Sequence, residues 1–447
     1  MMHPRYSALS VSGLALALLG GCSMFGGAEK AEKAKEEERA GRVNMSVLDQ
    51  KLAADPERAA VTVQLSAPSA TGDWPQAGQN PSKTPPHAEA GKEFKVDWRA
   101  DIGAGSDIQR RLVAPPVVSE GRVFVIDANQ RVSAYDAARG RRLWTRALSS
   151  PFKRDKIAVG GGLAVAGERL IVSSGFGYIA ALSTADGAEL WKRPTESPVS
   201  GSPAILGGRA YVTTTNNDLY ALNVETGEVS WTDQAIAESA RILASPSPAV
   251  TDEILVAPYS SGELIAYIPA NGRRLWSDTL TTVGRFTPLS AINDIAGRPA
   301  IRDGIVYAAS HSGVLAAIDS RTGTRLWNIL FGSRLGPVVS GDHLFIIGTG
   351  GQLACINRVD GAVVWVRDLK EFRNEQKKQD RIVWTGPLIA SDRLVVVSSE
   401  GDMLGLSPQT GETQISLKLG APAYIEPVAA GGLIYVLTDK GQLTAVR

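Results

Sequence analysis

Apolar and polar positions alternate along most of the chain in runs too short for a helix to use. Pro115 to Ile126 opens on a Pro-containing apolar phrase, passes through the polar turn Ser119-Glu120-Gly121, and resumes as Val123-Phe124-Val125-Ile126. Gly336 to Ile347 repeats the pattern. A second turn follows, marked by Gly262, Gly313, Gly351 or Gly441 in individual copies. Beyond it come another alternating run, a third turn closed by Gly, and a final run containing Trp. Short alternating runs bounded by Gly, Pro, Asn and Asp predict half-buried strands. The unit is four antiparallel strands.

The unit recurs. Trp144, Trp191, Trp231, Trp276, Trp327 and Trp365 each stand four residues after a Gly, and Trp98 precedes Trp144 by one repeat length. A strand-rich period of this size marks a propeller or a solenoid. A small residue recurs in the third strand, at Ala134, Ala181, Ala221, Ala266, Ala317, Cys355, Gly405 and Ala445. A large indole needs such a shallow neighbour. Cys355 belongs to this series and reads as a small buried hydrophobe. The seventh copy carries Ile415 in place of Trp, and the eighth stops before its last strand. Phe94 to Asp101 supplies that strand from the other end, closing a ring without free terminal edges. The predicted fold is all-β, an eight-bladed β-propeller of four-stranded antiparallel blades closed by an N-terminal strand in the last blade. Seven blades is the alternative if one weak repeat is irregular.

The segment before the ring has a different character. Arg5, the apolar run Ala8 to Leu19, and Gly20-Gly21-Cys22 read as a secretory signal. Leu19 to Cys22 also resembles the bacterial lipobox, which makes Cys22 the expected lipidation site. Ser23 after it, in place of Asp, favours the outer membrane with the body facing the periplasm. Glu29 to Arg39 is charged on every side and cannot build a core. The expected organisation is a signal over 1–21, a charged flexible tether over 22–70, and the propeller over 71–447.

Composition narrows the functional classes. Lys and Arg total 47 against 46 for Asp and Glu, a formal net charge of +1. This balance gives no electrostatic reason to bind nucleic acid. The histidines, His3, His87, His311 and His343, have no ligand-type neighbours at metal spacing. No nucleophile elbow or phosphate loop is present. No catalytic residue, metal site or cofactor is expected.

The complete phrase Ala317 to Trp327 resembles the tryptophan-docking motif of quinoprotein-type propellers, and Asp73-Trp74-Pro75-Gln76-Ala77-Gly78 looks like the segment that opens them. Trp98, Trp144, Trp191, Trp231, Trp276, Trp327 and Trp365 are accordingly blade-docking residues. Quinoprotein dehydrogenases in this group hold pyrroloquinoline quinone and calcium, often beside a vicinal Cys-Cys disulfide. This sequence has no adjacent cysteines and no carboxylate cluster with calcium-ligand spacing. The lipobox, the repeat count and the length are similar to the BamB family of outer-membrane assembly lipoproteins. That resemblance implies a noncatalytic scaffold that binds the periplasmic POTRA domains of the insertase BamA and works beside other assembly-machine lipoproteins. Unfolded outer-membrane protein clients are further implied partners, with strand addition to a blade edge as the plausible mode. It also implies partner contacts at Arg241, Ile242 and Leu243, and at Asp294, where Ala296 replaces a second aspartate of the family pattern. Phe286, Leu289 and Ile292, in the longest interval between docking tryptophans, are readable equally as exposed anchors or as residues tucked onto the ring. The charged insertion Lys370 to Arg381 reads as a solvated loop. A periplasmic dehydrogenase and a carbohydrate- or peptidoglycan-binding ring are the rival readings.

Overall fold

The computed structural model describes residues 52–58, 61–150, 157–158, 160–238, 242, 244, 246–281 and 293–447. Eight four-stranded antiparallel sheets form the ring. Seven follow chain order: blade 1 spans Val117–Ala147, and blades 2 to 7 begin at Gly161, Ala204, Ala249, Ala300, Val338 and Trp384. Blade 8 takes three strands from Val428–Val446 and its outermost strand, Val96–Asp101, from the beginning of the domain. The first strands are buried and approach those of neighbouring blades, so they converge on the axis. The fourth strands alternate exposed and half-buried positions, as in Val229–Gln234 and Arg274–Thr279, and form the outer wall.

The small residues sit where the repeat predicted. Ala134 pairs with Trp144, Ala181 with Trp191, Ala221 with Trp231, Ala266 with Trp276, Ala317 with Trp327 and Cys355 with Trp365. Gly405 faces Ile415, and Ala445 faces Trp98 across the closing strand. Cys355 is fully buried, and burial pushes its thiol up, out of the reactive range.

The Gly of each phrase serves the preceding blade. The indole Nε1 of Trp191 donates to the Val224 carbonyl at 2.9 Å, and a Cβ on Gly227 would lie 2.5 Å from the same indole. Gly227 has φ +69°, a left-handed conformation that a side chain disfavours anyway. The contact repeats from Trp98 on blade 1 to Trp365 on blade 7, with indole donor distances of 2.7–3.1 Å. Some acceptors serve twice. The Pro269 carbonyl receives Trp231 at 3.0 Å and the Tyr211 hydroxyl at 3.2 Å, and the Arg358 carbonyl receives Trp327 and Tyr307. At the blade 7–8 junction, where no Trp is available, Phe94 and Ile415 pack over Gly405.

The segment before the closing strand forms a belt across one end of the bore, reaching the first strand of blades 1 to 7 and the turn after that of blade 8. Trp74 exchanges backbone hydrogen bonds with Val118 of blade 1 at 2.7 and 2.8 Å, and Pro75 accepts from Val165 of blade 2. The Gln76 side chain accepts from Ile205 of blade 3 at 2.9 Å. Pro81 accepts from Val250 of blade 4, and Ser82 from Ile301 of blade 5. Ser66 donates to the Ser340 hydroxyl of blade 6 at 3.0 Å. Ala88 bonds Ile389 and Ser391 of blade 7, and Thr71 accepts from Gly431 beside blade 8. The belt then meets itself: Ser69 donates to the His87 carbonyl at 2.8 Å, and Glu89 to that of Ser69 at 2.9 Å.

This arrangement changes the expected boundary at residue 70. Val61, Val63 and Leu65 alternate with polar residues and pack against blades 6 and 7, with Val63 almost fully buried. Asp55 donates to the Val363 carbonyl at 2.8 Å, and Val63 to Gln409 at 2.9 Å. The ring-bound body therefore includes residues expected in the flexible tether, because their period-two apolar pattern has a complementary surface. Cys22 and the charged run lie outside the described residues.

Replacing Trp365 with Ala should lower the unfolding free energy by about 3 kcal/mol, since it removes a buried indole and leaves a cavity. Gly227→Ala should lower it by about 1–3 kcal/mol through backbone strain and collision with Trp191. Denaturant titration of both variants reads these losses directly.

Candidate functional site

Described residues of the connections leading into blades 1 and 4 to 8 line a central cup of about 430 Å³ on the face opposite the belt. Arg111, Leu112, Val113 and Pro115 line it ahead of blade 1, Ile242, Ala244 and Ser247 ahead of blade 4, and Ala296, Gly297 and Arg298 ahead of blade 5. Arg334-Leu335, Val383, Thr385, Tyr424 to Glu426 and Asp439 complete the wall, and Ala77 of the belt reaches it from below. The cup is thus a consequence of ring closure, with walls drawn from blades distant in sequence.

Its lower wall is held by an ion pair between Arg298 and Glu426, which join blades 5 and 8 across the bore. Their side chains are only 11% and 21% exposed, so solvent screens the pair weakly. The Arg298 Nε is buried without a hydrogen-bond partner. Gly78, with φ +72°, leaves room for this guanidinium; a Cβ there would come within 2.8 Å of Arg298 Nε and 3.1 Å of Lys83 Cδ. Lys83 is fully buried and donates to the Ala77 carbonyl at 2.9 Å. Burial, reinforced by Arg298, holds its ammonium well below the usual lysine range.

Higher on the wall, Arg334 has no ion-pair partner among the described residues. Burial, together with the charge of Arg381, lowers its pKa. It is nonetheless solvent-accessible, as expected for a side chain standing inside a concave opening. Burial and then Arg334 depress His311 below the ordinary imidazole value, and its Nδ1 is buried without a partner.

Two of the residues expected at the partner contact are brought together. The Ile242 N–H donates to Asp294 Oδ2 at 2.7 Å, fastening the connection before blade 4 to the one before blade 5 at the rim of the cup. Asp294 is 5% exposed, and its carbonyl accepts from the His311 N–H at 3.0 Å. Its carboxylate therefore pins neighbouring loops together instead of standing out as a surface charge. Arg241, Leu243, Phe286, Leu289 and Ile292 lie outside the described residues.

The insertion after blade 6, expected as a loop, is a small hairpin pairing Phe372–Asn374 with Gln379–Arg381. Arg373 forms a two-pronged ion pair with Glu400 at 2.7 and 2.8 Å, and Arg381 meets Glu371 at 2.6 Å. Trp384 closes its base by donating to the Lys370 carbonyl at 2.8 Å.

The cup charges were missed in the sequence because no single repeat contains them. A signal was present: Arg298 and Glu426 directly precede the prolines Pro299 and Pro427 that open inner strands, and Arg111 and Arg334 stand shortly before Pro115 and Pro337.

A family model described as outer membrane protein assembly factor BamB matches residues 91–155, 152–367 and 360–447. The chain belongs to the BamB family. Curated members include proteins named outer membrane protein assembly factor BamB from Moranella endobia and Escherichia coli. The first is 25% identical over 356 residues, covering 78% of this chain and 89% of the relative. The second is 23% identical over 354 residues, covering 78% and 88%. The BamB structure from Moraxella catarrhalis matches with a TM-score of 0.60 at 19% identity, over 78% of this chain and 97% of that one. A quinohemoprotein alcohol dehydrogenase from Comamonas testosteroni reaches 0.65 at 14% identity, over 84% and 80%, and shows the shared ring fold alone.

The cup residues do not fit the quinone and calcium of such dehydrogenases. Among the described residues no group of three His, Cys, Asp or Glu is placed to hold a metal ion. Of the two carboxylates in the cup wall, Glu426 is already committed to Arg298.

Because the folded ring favours neutral His311, its contribution to stability is present above about pH 6.5, the unfolded value. It should decline as the pH falls from there through the depressed folded value, then level off. Denaturant titrations between pH 7.5 and 5 should show this loss, and His311→Asn should reduce it, the remainder coming from His343, which burial likewise depresses.

Proposed function

We propose that this BamB-family chain is a noncatalytic lipoprotein scaffold of the β-barrel assembly machinery, held at the outer membrane by lipid on Cys22 and facing the periplasm. The observation that carries the role is the family match, which runs from residue 91 to residue 447, with named relatives aligned over most of their own length. The scaffold binds the POTRA domains of BamA through the connections before blades 4 and 5. The Ile242–Asp294 hydrogen bond supports this location, since it presents neighbouring loops as one preformed surface. Arg241 and Leu243 flank Ile242 in sequence and are the proposed partner contacts, while Asp294 acts as a positioning residue.

The outer wall suits a second task, holding extended clients beside the insertase and the other assembly lipoproteins. Leu143, Leu190, Leu275 and Leu326 precede the docking Trp in four fourth strands and are 38–50% exposed. These strands also present an outer edge with no β partner among the described residues. An extended segment can add there through main-chain hydrogen bonds and rest apolar side chains on these leucines.

Recovery of native lipoprotein in mild detergent, followed by mass spectrometry of what accompanies it, tests the scaffold. BamA should copurify. Arg241→Glu should sharply reduce its recovery without changing the melting curve, whereas Asp294→Ala should reduce recovery and lower the melting temperature together. Cys22→Ser should leave the ring folded but release it from the membrane. A preparation without BamA, or one whose BamA recovery is unaffected by Arg241→Glu, would refute the proposed contact.

A further inference from the structure

We propose that the central cup binds the carboxylate end of an extended chain whose last side chain is apolar. Ala77 and the rest of the belt run below the cup, so its lower end is obstructed. A segment threading through the ring would have no exit; an end can enter and stop. The cup volume of about 430 Å³ lies within the range of specific ligand sites.

Charge selects which kind of end. Five charged residues line the cup: Arg111, Arg298, Arg334, Glu426 and Asp439. Arg298 and Glu426 offset each other. Arg111 and Arg334 have no anionic partner among the described residues, leaving two guanidinium groups against the single carboxylate of Asp439. Arg334 also stands in the field of Arg381 and beside His311, and no anion among the described residues offsets its burial. A guanidinium presents paired donors matched to the oxygens of a carboxylate. An ammonium end would meet the same excess positive charge and be repelled.

The wall between the charges is apolar. Leu112 and Ile425 are buried there, and Val383 and Leu335 are half-buried. This surface rewards an apolar last side chain by removing it from water. Capture of a chain-terminal carboxylate is a recurrent recognition mode. The inference stands on the cup alone and does not depend on the assembly role.

Calorimetric titration of the full lipoprotein in mild detergent tests it, using N-acetyl-Ala-Val-Phe as the free acid and as the C-terminal amide. Phenylpropionate and pyrroloquinoline quinone with calcium are the comparators. The free acid should bind at least about tenfold more tightly than the amide, and more tightly than either comparator. Arg111→Gln and Arg334→Gln should each weaken the acid by about tenfold and leave the amide unchanged, since each removes a charge-assisted contact. Both variants should melt like the native protein, and Arg141→Gln, in an exposed turn outside the cup lining, should bind normally. Equal binding of acid and amide, native affinity in either cup variant, or no heat at millimolar peptide would overturn the inference. Phenylpropionate binding as tightly as the peptide would overturn the chain-end assignment. Tighter binding of the quinone would make the cup a cofactor site instead.

Discussion

The ring depends on an indole lying against a glycine of the next blade. Each sheet could form its own hydrogen-bond ladder, but those ladders do not set the angle between sheets. The angle is set where the Trp of one blade covers the left-handed Gly of the next and donates its N–H to a carbonyl beside that turn, as Trp191 does with Gly227 and Val224. The contact joins packing and hydrogen bonding in one side chain, so a blade that tilts away loses both. Where the sequence supplies no Trp, at the junction of blades 7 and 8, Phe94 and Ile415 fill the space over Gly405 by packing alone.

This reliance on one repeated contact explains why the fold was so legible. A structure built from nearest-neighbour junctions leaves its spacing in the sequence, and Trp98 could be assigned to the last blade because it kept the period. Cys355 was readable for the same reason: it occupies the small position opposite Trp365. The belt was not legible, since its hydrogen bonds run largely from backbone groups of residues 66–88 to backbone groups of distant strands. Such bonds require no particular side-chain period. Val61, Val63 and Leu65 did carry an alternation, but only the folded ring shows the surface that receives it.

The candidate site was legible only in part. Ile242 and Asp294 were identified as a pair of stretches, and their direct hydrogen bond became visible when the ring placed adjacent connections side by side. Asp294, named as an implied partner contact, is buried, and its carboxylate meets a backbone donor from the neighbouring connection. The charges of the cup come from connections scattered over the chain, and Arg298 and Glu426 are 128 residues apart in sequence. A period locates the blades; it says little about what the blades enclose.

The belt also imposes an order on how this molecule comes into being. Its residues are made before any blade, yet their acceptors and donors include Ile389 and Gly431, near the far end of the chain. The strand around Trp98 likewise waits for Ala445. The first-made part of the domain therefore lacks its last partners until the end of the chain has emerged, and two long-range closures must then form over the same ring. Assembly of this kind places much of its loop-closure cost at the end, which favours slow, cooperative completion over blade-by-blade growth. Once complete, the hoop works in reverse: a blade cannot leave the ring independently while the belt still holds its inner strand.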